Sequence, residues 1–185
     1  MMTELQTQKQ THYFNLVDVD KNGFIEKEDW VKIGDNLAAM RGIEKGTELY
    51  DAIQASLDTI WTNLSEHADA DADGKVTLDE WLTFEDEKVI NCDDDWYDSY
   101  VNNIVRGLFT VLDEDQNGVI GKDEYLNLMV SFQVQPSDAI EAFKKLDSDG
   151  NGTIDEAELI NAVFEFHRSD DPESSGNWLF GPYDS

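Results

Sequence analysis

The chain has 185 residues, with 41 Asp and Glu against 13 Lys and Arg, and a formal net charge of -28. Such a surface repels nucleic acid and anionic lipid, while 40% hydrophobic and 11% aromatic residues supply a core and exclude a disordered acidic chain. The single cysteine, Cys92, excludes an intrachain disulfide and a thiolate zinc site.

In chain order, the N-terminal MMTELQTQKQ has no apolar run, so no secretory signal is expected. It does not begin Met-Gly, and no stretch approaches the ~20 apolar residues that span a bilayer. With one cysteine, these features fit a cytoplasmic location. A first helix is predicted to end on Phe14 and Val17, which share one face. It runs into DVDKNGFIEKED (18–29), and three more segments align with that loop: DADADGKVTLDE (69–80), DEDQNGVIGKDE (113–124) and DSDGNGTIDEAE (147–158). Each has Asp at positions 1 and 3, Asp or Asn at 5, Gly at 6, a β-branched residue at 8 and a carboxylate at 12. This is the EF-hand calcium-loop pattern.

The spacing follows from the ion. Calcium takes six to eight oxygens at about 2.3–2.6 Å, and short side chains at positions 1, 3 and 5 let a tight turn converge three of them. Glycine at position 6 supplies a positive φ, position 7 offers its main-chain carbonyl, and position 12 closes the shell from the exiting helix. The candidate ligands are Asp18, Asp20, Asn22, Phe24 and Asp29 in loop 1, and Asp69, Asp71, Asp73, Lys75 and Glu80 in loop 2. Loop 3 offers Asp113, Asp115, Asn117, Val119 and Glu124, and loop 4 offers Asp147, Asp149, Asn151, Thr153 and Glu158. Phe24, Lys75, Val119 and Thr153 contribute carbonyls only. Loop 3 has Gly121 at position 9, where a water must stand in. Loop 1 closes with Asp29 instead of Glu. Its shorter reach favours six-coordination, so Mg²⁺ is expected here alongside Ca²⁺.

After loop 1, Trp30 and Ile33 begin an exiting helix, and segment 41–64 adds a connector and a long helical pattern before loop 2. Trp81 and Phe84 follow loop 2. Asp93, Asp94 and Asp95 then precede a helical pattern through Trp96, Tyr100, Ile104 and Leu108 that interrupts any continuous central helix. Phe109 and Leu112 lead into loop 3, Tyr125 and Leu128 leave it, and Phe143 and Leu146 enter loop 4, which Leu159 and Ala162 leave. This aromatic stripe reads as core, with a cofactor pocket as the minor alternative. The tail 169–185 carries Trp178, Leu179 and Phe180, which calls for burial in a cleft between helices; a frayed tail or a partner-binding peptide is the alternative.

The expected fold is all-α: four EF-hands in two paired halves packed into one compact globule, with short two-stranded β pairings between loops. Residues 1–92 form the first pair and 93–168 the second, with the tail 169–185 packed on the hydrophobic cleft. His12, His67 and His167 form no metal motif and read as surface or helix-face residues. No enzyme motif is present, so catalysis is not expected. Discounting Met1 and Met2, only Met40 and Met129 remain, too few for the Met-rich groove of a calcium sensor.

The four loops, the long first spacing, Asp29 and the C-terminal NWLFGPYDS resemble the sarcoplasmic calcium-binding proteins and calexcitins. Members of that family commonly end in a motif like Leu179-Phe180-Gly181 here. That resemblance covers the whole chain and implies an intracellular Ca²⁺ and Mg²⁺ buffer, with signalling as the calexcitin variant. Members often have a degenerate loop, and this chain keeps all four. The segment His12-Tyr13-Phe14-Asn15-Leu16-Val17-Asp18 also resembles coelenterazine photoproteins and luciferin-binding proteins. Against that, loop 2 is intact, Val163 stands where their catalytic histidine would fall, and the chain ends in Ser185 rather than Pro. The leading function is therefore a cytoplasmic calcium buffer with up to four Ca²⁺ sites. The runner-up is a calcium sensor acting on a protein partner, and a coelenterazine-binding protein is the remote alternative. Neither a nucleic-acid partner nor stable membrane insertion is expected, and the chain is read as a monomer or dimer.

Overall fold

The structure, a computed structural model, describes residues 1–93, 95, 97–99, 105–107, 109 and 112–183. Helix α1 (Glu4–Val17) begins with a reciprocal cap: Thr3 Oγ1 accepts from the Gln6 amide, and Gln6 Oε1 accepts from the Thr3 amide at 2.9 Å. Strand β1 (Phe24–Ile25) and helix α2 (Lys27–Met40) complete the first hand. Helix α3 (Glu48–Ala68), β2 (Val76–Thr77) and α4 (Leu78–Phe84) form the second, and α4 continues as a π-helical turn over Glu85–Ile90. The third hand has β3 (Ile120–Gly121) and α5 (Lys122–Ser131); the fourth has α6 (Pro136–Leu146), β4 (Thr153–Ile154) and α7 (Glu156–Arg168). A 3₁₀ turn over Ser175–Trp178 follows.

The fold is thus mostly helical with two short antiparallel ribbons. In each ribbon the position-8 residues face one another, Ile25 opposite Val76 and Ile120 opposite Ile154. All four are essentially inaccessible to water. β-branched side chains suit these short extended pairs, and the pairing ties loop 1 to loop 2 and loop 3 to loop 4.

The helix faces converge on one continuous core. Phe14, Val17, Trp30, Ile33, Trp81, Phe84, Leu112, Tyr125, Leu128, Phe143, Leu146, Leu159 and Ala162 are all buried. The two halves share this core. They are also stitched by hydrogen bonds from Asn36 Nδ2 to the Ser131 carbonyl at 3.1 Å and from Gln133 Nε2 to the Val19 carbonyl at 3.2 Å. Helices α2 and α3 approach closely at Gly34, where an added Cβ would lie 2.9 Å from Leu57 Cδ1. Most of the helical pattern expected through Trp96, Tyr100, Ile104 and Leu108, with Asp94 before it, lies outside the described residues; its described members 95, 97–99 and 105–107 are helical.

Two polar side chains on helix faces lie in the interior. His167 is not a surface residue: it is 5% exposed, with Nε2 3.8 Å from Glu85 Oε2, because α7 turns this face toward the π-helical turn. Lys9, on α1, is fully buried as well. Its ammonium donates to the carbonyls of Glu165 and Ser169 and to Asn177 Oδ1, at 3.1, 2.9 and 2.9 Å. Those three acceptors let a charged group sit inside the fold, although burial still pulls its pKa down to about 8.

The tail is held from both halves. The Phe180 ring stacks on Tyr13 with centroids 3.9 Å apart, and its carbonyl lies 3.0 Å from His12 Nε2. Tyr125 OH donates to the Leu179 carbonyl at 3.0 Å. Glu165 accepts from Ser174, Ser175 and the Gly176 amide. Leu179 and Phe180 are buried, and Trp178 packs against the core from a less enclosed position.

Candidate metal centres

In every loop the position-1 aspartate anchors the turn. Asp18 accepts from the amides of Asn22 and Gly23 at 3.0 and 2.9 Å. Asp69 does the same for Asp73 and Gly74, Asp113 for Asn117 and Gly118, and Asp147 for Asn151 and Gly152. The position-6 glycines carry φ of 83–89°, the conformation that sterics deny to most side chains.

Each turn also holds a second left-handed residue that the loop pattern does not announce. Lys21, Ala72, Gln116 and Gly150, at position 4, have φ of 59, 58, 57 and 71°. Only loop 4 meets that demand with glycine. The others carry a side chain in a region that costs roughly 1–2 kcal/mol. What holds them there is the pair of carboxylates at positions 1 and 3, both accepting from the position-5 amide.

The position-12 carboxylates reach back across the loop. Glu124 accepts from the Glu114 and Gly121 amides at 2.7 Å each, and Glu158 from the Ser148 and Asp155 amides at 2.8 and 3.1 Å. Glu80 accepts from Ala70 and from the Thr77 amide and hydroxyl, and its pKa is lowered chiefly by the Thr77 amide. Asp29 performs the same service with its shorter chain, accepting from Val19 at 3.1 Å and Glu26 at 3.0 Å. It is wholly buried, and that burial raises its pKa.

These constraints bring carboxylate oxygens together in all four loops. Asp18, Asp20 and Asp29 have oxygens within 4.8 Å of one another. So do Asp69, Asp71 and Asp73; Asp113, Asp115 and Glu124; and Asp147, Asp149 and Glu158. The donors are hard oxygens with no sulfur or imidazole, which fits Ca²⁺ or Mg²⁺ and not zinc or copper. Clustered anions of this kind repel one another until a cation arrives.

Family models agree with this geometry. An EF-hand domain matches residues 138–167, an EF-hand domain pair matches 102–131, and an EF hand matches 10–33 and 67–84. The chain belongs to the EF-hand superfamily. It is 23% identical over 167 residues to calerythrin from Saccharopolyspora erythraea, covering 90% of this chain and 94% of that one. It is 28% identical over 112 residues to a sarcoplasmic calcium-binding protein from Scylla paramamosain, covering 60% of this chain and 58% of that one. Among solved structures, the calcium-loaded apo coelenterazine-binding protein of Renilla muelleri superposes with a TM-score of 0.82 at 18% identity, over 97% of this chain and 99% of the other. The amphioxus sarcoplasmic calcium-binding protein gives 0.68 at 22% identity, with both chains covered fully. At such identities the superpositions establish the shared fold.

Proposed function

We propose that this EF-hand protein binds Ca²⁺ at all four loops, through the side chains and position-7 carbonyls named from the sequence, and serves as an intracellular Ca²⁺ and Mg²⁺ buffer without catalytic activity. The convergence of carboxylate oxygens in each loop carries the reading. Two further observations favour a buffer over a sensor. The tail fills the interior cleft with Leu179 and Phe180, and Met129 is buried. Both speak against an open interior groove for a partner helix.

The test is a Ca²⁺ titration with and without millimolar Mg²⁺, followed by calorimetry and an apolar-surface dye. A buffer binds up to four ions with no burst of dye fluorescence, and Mg²⁺ competes most strongly at loop 1. A sharp rise in dye fluorescence on Ca²⁺ addition would favour the sensor, and absence of Ca²⁺ binding would reject both.

One set of atoms favours a second reading. Both amide atoms of Gln10, the indole nitrogens of Trp30 and Trp81, and Glu85 Oε2 are buried without a hydrogen-bond partner among the described residues. Unpartnered interior polar groups of this kind are costly. Together with the likeness to the Renilla protein, they motivate adding coelenterazine to the purified chain. No bound chromophore in the absorption spectrum would end that reading.

A further inference from the structure

Loop 1 differs from the other three in a way its ligand pattern does not show. Lys32, on α2 one turn beyond Asp29, places its ammonium 2.7 Å from Asp20 Oδ2, the carboxylate at position 3. A second lysine arrives from the paired loop. Lys75 lies 3.3 Å from Glu26 Oε2, at position 9 of loop 1, with its ammonium over the Phe24 ring. The ligating carboxylates of loops 2, 3 and 4 carry no lysine ion pair among the described residues.

We propose that Lys32 is an affinity-setting residue for loop 1: a tethered counter-cation that competes with the divalent ion for Asp20 and makes this loop the last of the four to fill. The inference rests on the reading of loop 1 as a divalent-cation site. Whichever oxygen of Asp20 faces the ion, Lys32 is either displaced from it or left as a positive charge within a few ångströms of another cation. Both outcomes weaken binding, since like charges at this range repel even in a partly solvated setting. Lys75 acts in the same sense from the position-9 side, so the charge on loop 2 also bears on loop 1.

The experiment follows the Gly23 amide by NMR during Ca²⁺ titration, because its hydrogen bond to Asp18 Oδ2, 2.9 Å long, reports loop 1 alone. Gly74, Gly118 and Gly152 report the other loops in the same spectra. Lys32→Gln is expected to tighten binding at Gly23 by roughly fivefold or more, with the other three midpoints unmoved. Lys32→Arg, which keeps the charge, should stay near wild type. Lys45→Gln controls for net charge, since Lys45 pairs with Asp35 at 2.7 Å, away from any loop. A change below twofold in Lys32→Gln, or an equal change in Lys45→Gln, overturns the inference while leaving the loops as calcium sites. If none of the four glycines responds to Ca²⁺ in the wild-type protein, the proposed function itself fails.

Discussion

Glu85 and His167 are two titratable side chains in an interior that excludes water, 1% and 5% exposed and 3.8 Å apart. Burial pushes the carboxyl up to about 8 and pulls the imidazole down to about 4. Around the ring lie the Val163 carbonyl, 2.9 Å from His167 Nδ1, the Tyr97 hydroxyl at 3.4 Å, and the nearby charges of Lys9 and Arg168. At neutral pH both members are therefore uncharged. A protonated Glu85 favours the fold, so its contribution is complete below its unfolded pKa of 4.5 and is lost as pH rises toward 8. His167 behaves oppositely: its contribution is complete above its unfolded pKa of 6.5 and is lost as pH falls toward 4. Replacing Glu85 with Gln keeps the shape and removes the titration. In Ca²⁺-saturated protein, Glu85→Gln should gain thermal stability over wild type at pH 8 and show little difference at pH 5. Parallel melting curves at the two pH values would contradict the assignment. None of this was legible in the sequence, where His167 is one helix residue among others and Glu85 one acid among 41.

At the scale of elements, the loops were the most legible part. Coordination chemistry fixes which residue types stand at positions 1, 3, 5, 6 and 12, whatever surrounds them. Helix faces were legible for a related reason: a period of 3.6 residues places Phe14 with Val17, and Phe143 with Leu146, on the buried side. The seat of the tail was not legible, because nothing in residues 169–183 names its contacts. It depends on close approach at Gly176, where an added Cβ would lie 2.4 Å from Glu165 Cβ and 2.6 Å from the Ala162 carbonyl. Backbone cannot yield as a side chain can. Gly176→Ala should cost about 1–3 kcal/mol of stability and expose the tail to limited proteolysis. Gly34→Ala should cost less, since its nearest obstacle is the flexible end of Gln54, 2.6 Å away. Melting midpoints that rank the two the other way would refute this comparison. A separate prediction concerns closure of loop 4. Glu158→Gln removes the negative charge from position 12, and calorimetry should show one fewer Ca²⁺ bound at micromolar free ion, with the fold retained.

For the whole molecule, the net charge of -28 now has an address. Twenty of the 41 acids lie in the four loops, which also hold Lys21, Lys27, Lys75 and Lys122. More than half of the imbalance thus sits in the four loops, and each divalent ion removes two units of it. Self-repulsion opposes compaction, and ions that bind only the folded state stabilise it by about 2.7 kcal/mol per site at a hundredfold excess. Chelator should therefore lower the thermal midpoint by many degrees relative to millimolar Ca²⁺. Scanning calorimetry showing equal midpoints in the two conditions would exclude four linked sites. Higher salt should narrow the gap by screening the unfilled loops.

Four loops, their pairing partners in order, and the apolar faces that flank them follow from the order of residues alone. These depend on local chemistry: ligand spacing, glycine conformation and helical period act within a dozen residues. Which polar groups are interior, where the tail docks and which lysine reaches which carboxylate are set by packing in three dimensions. Lys9 meets Asn177, His167 meets Glu85 and Lys32 meets Asp20. The first two are brought together across the chain by helix packing, and the third depends on a side-chain direction that no spacing rule specifies. Charge counted along the chain indicates how much cation the protein can hold; charge placed in space sets which site takes it first.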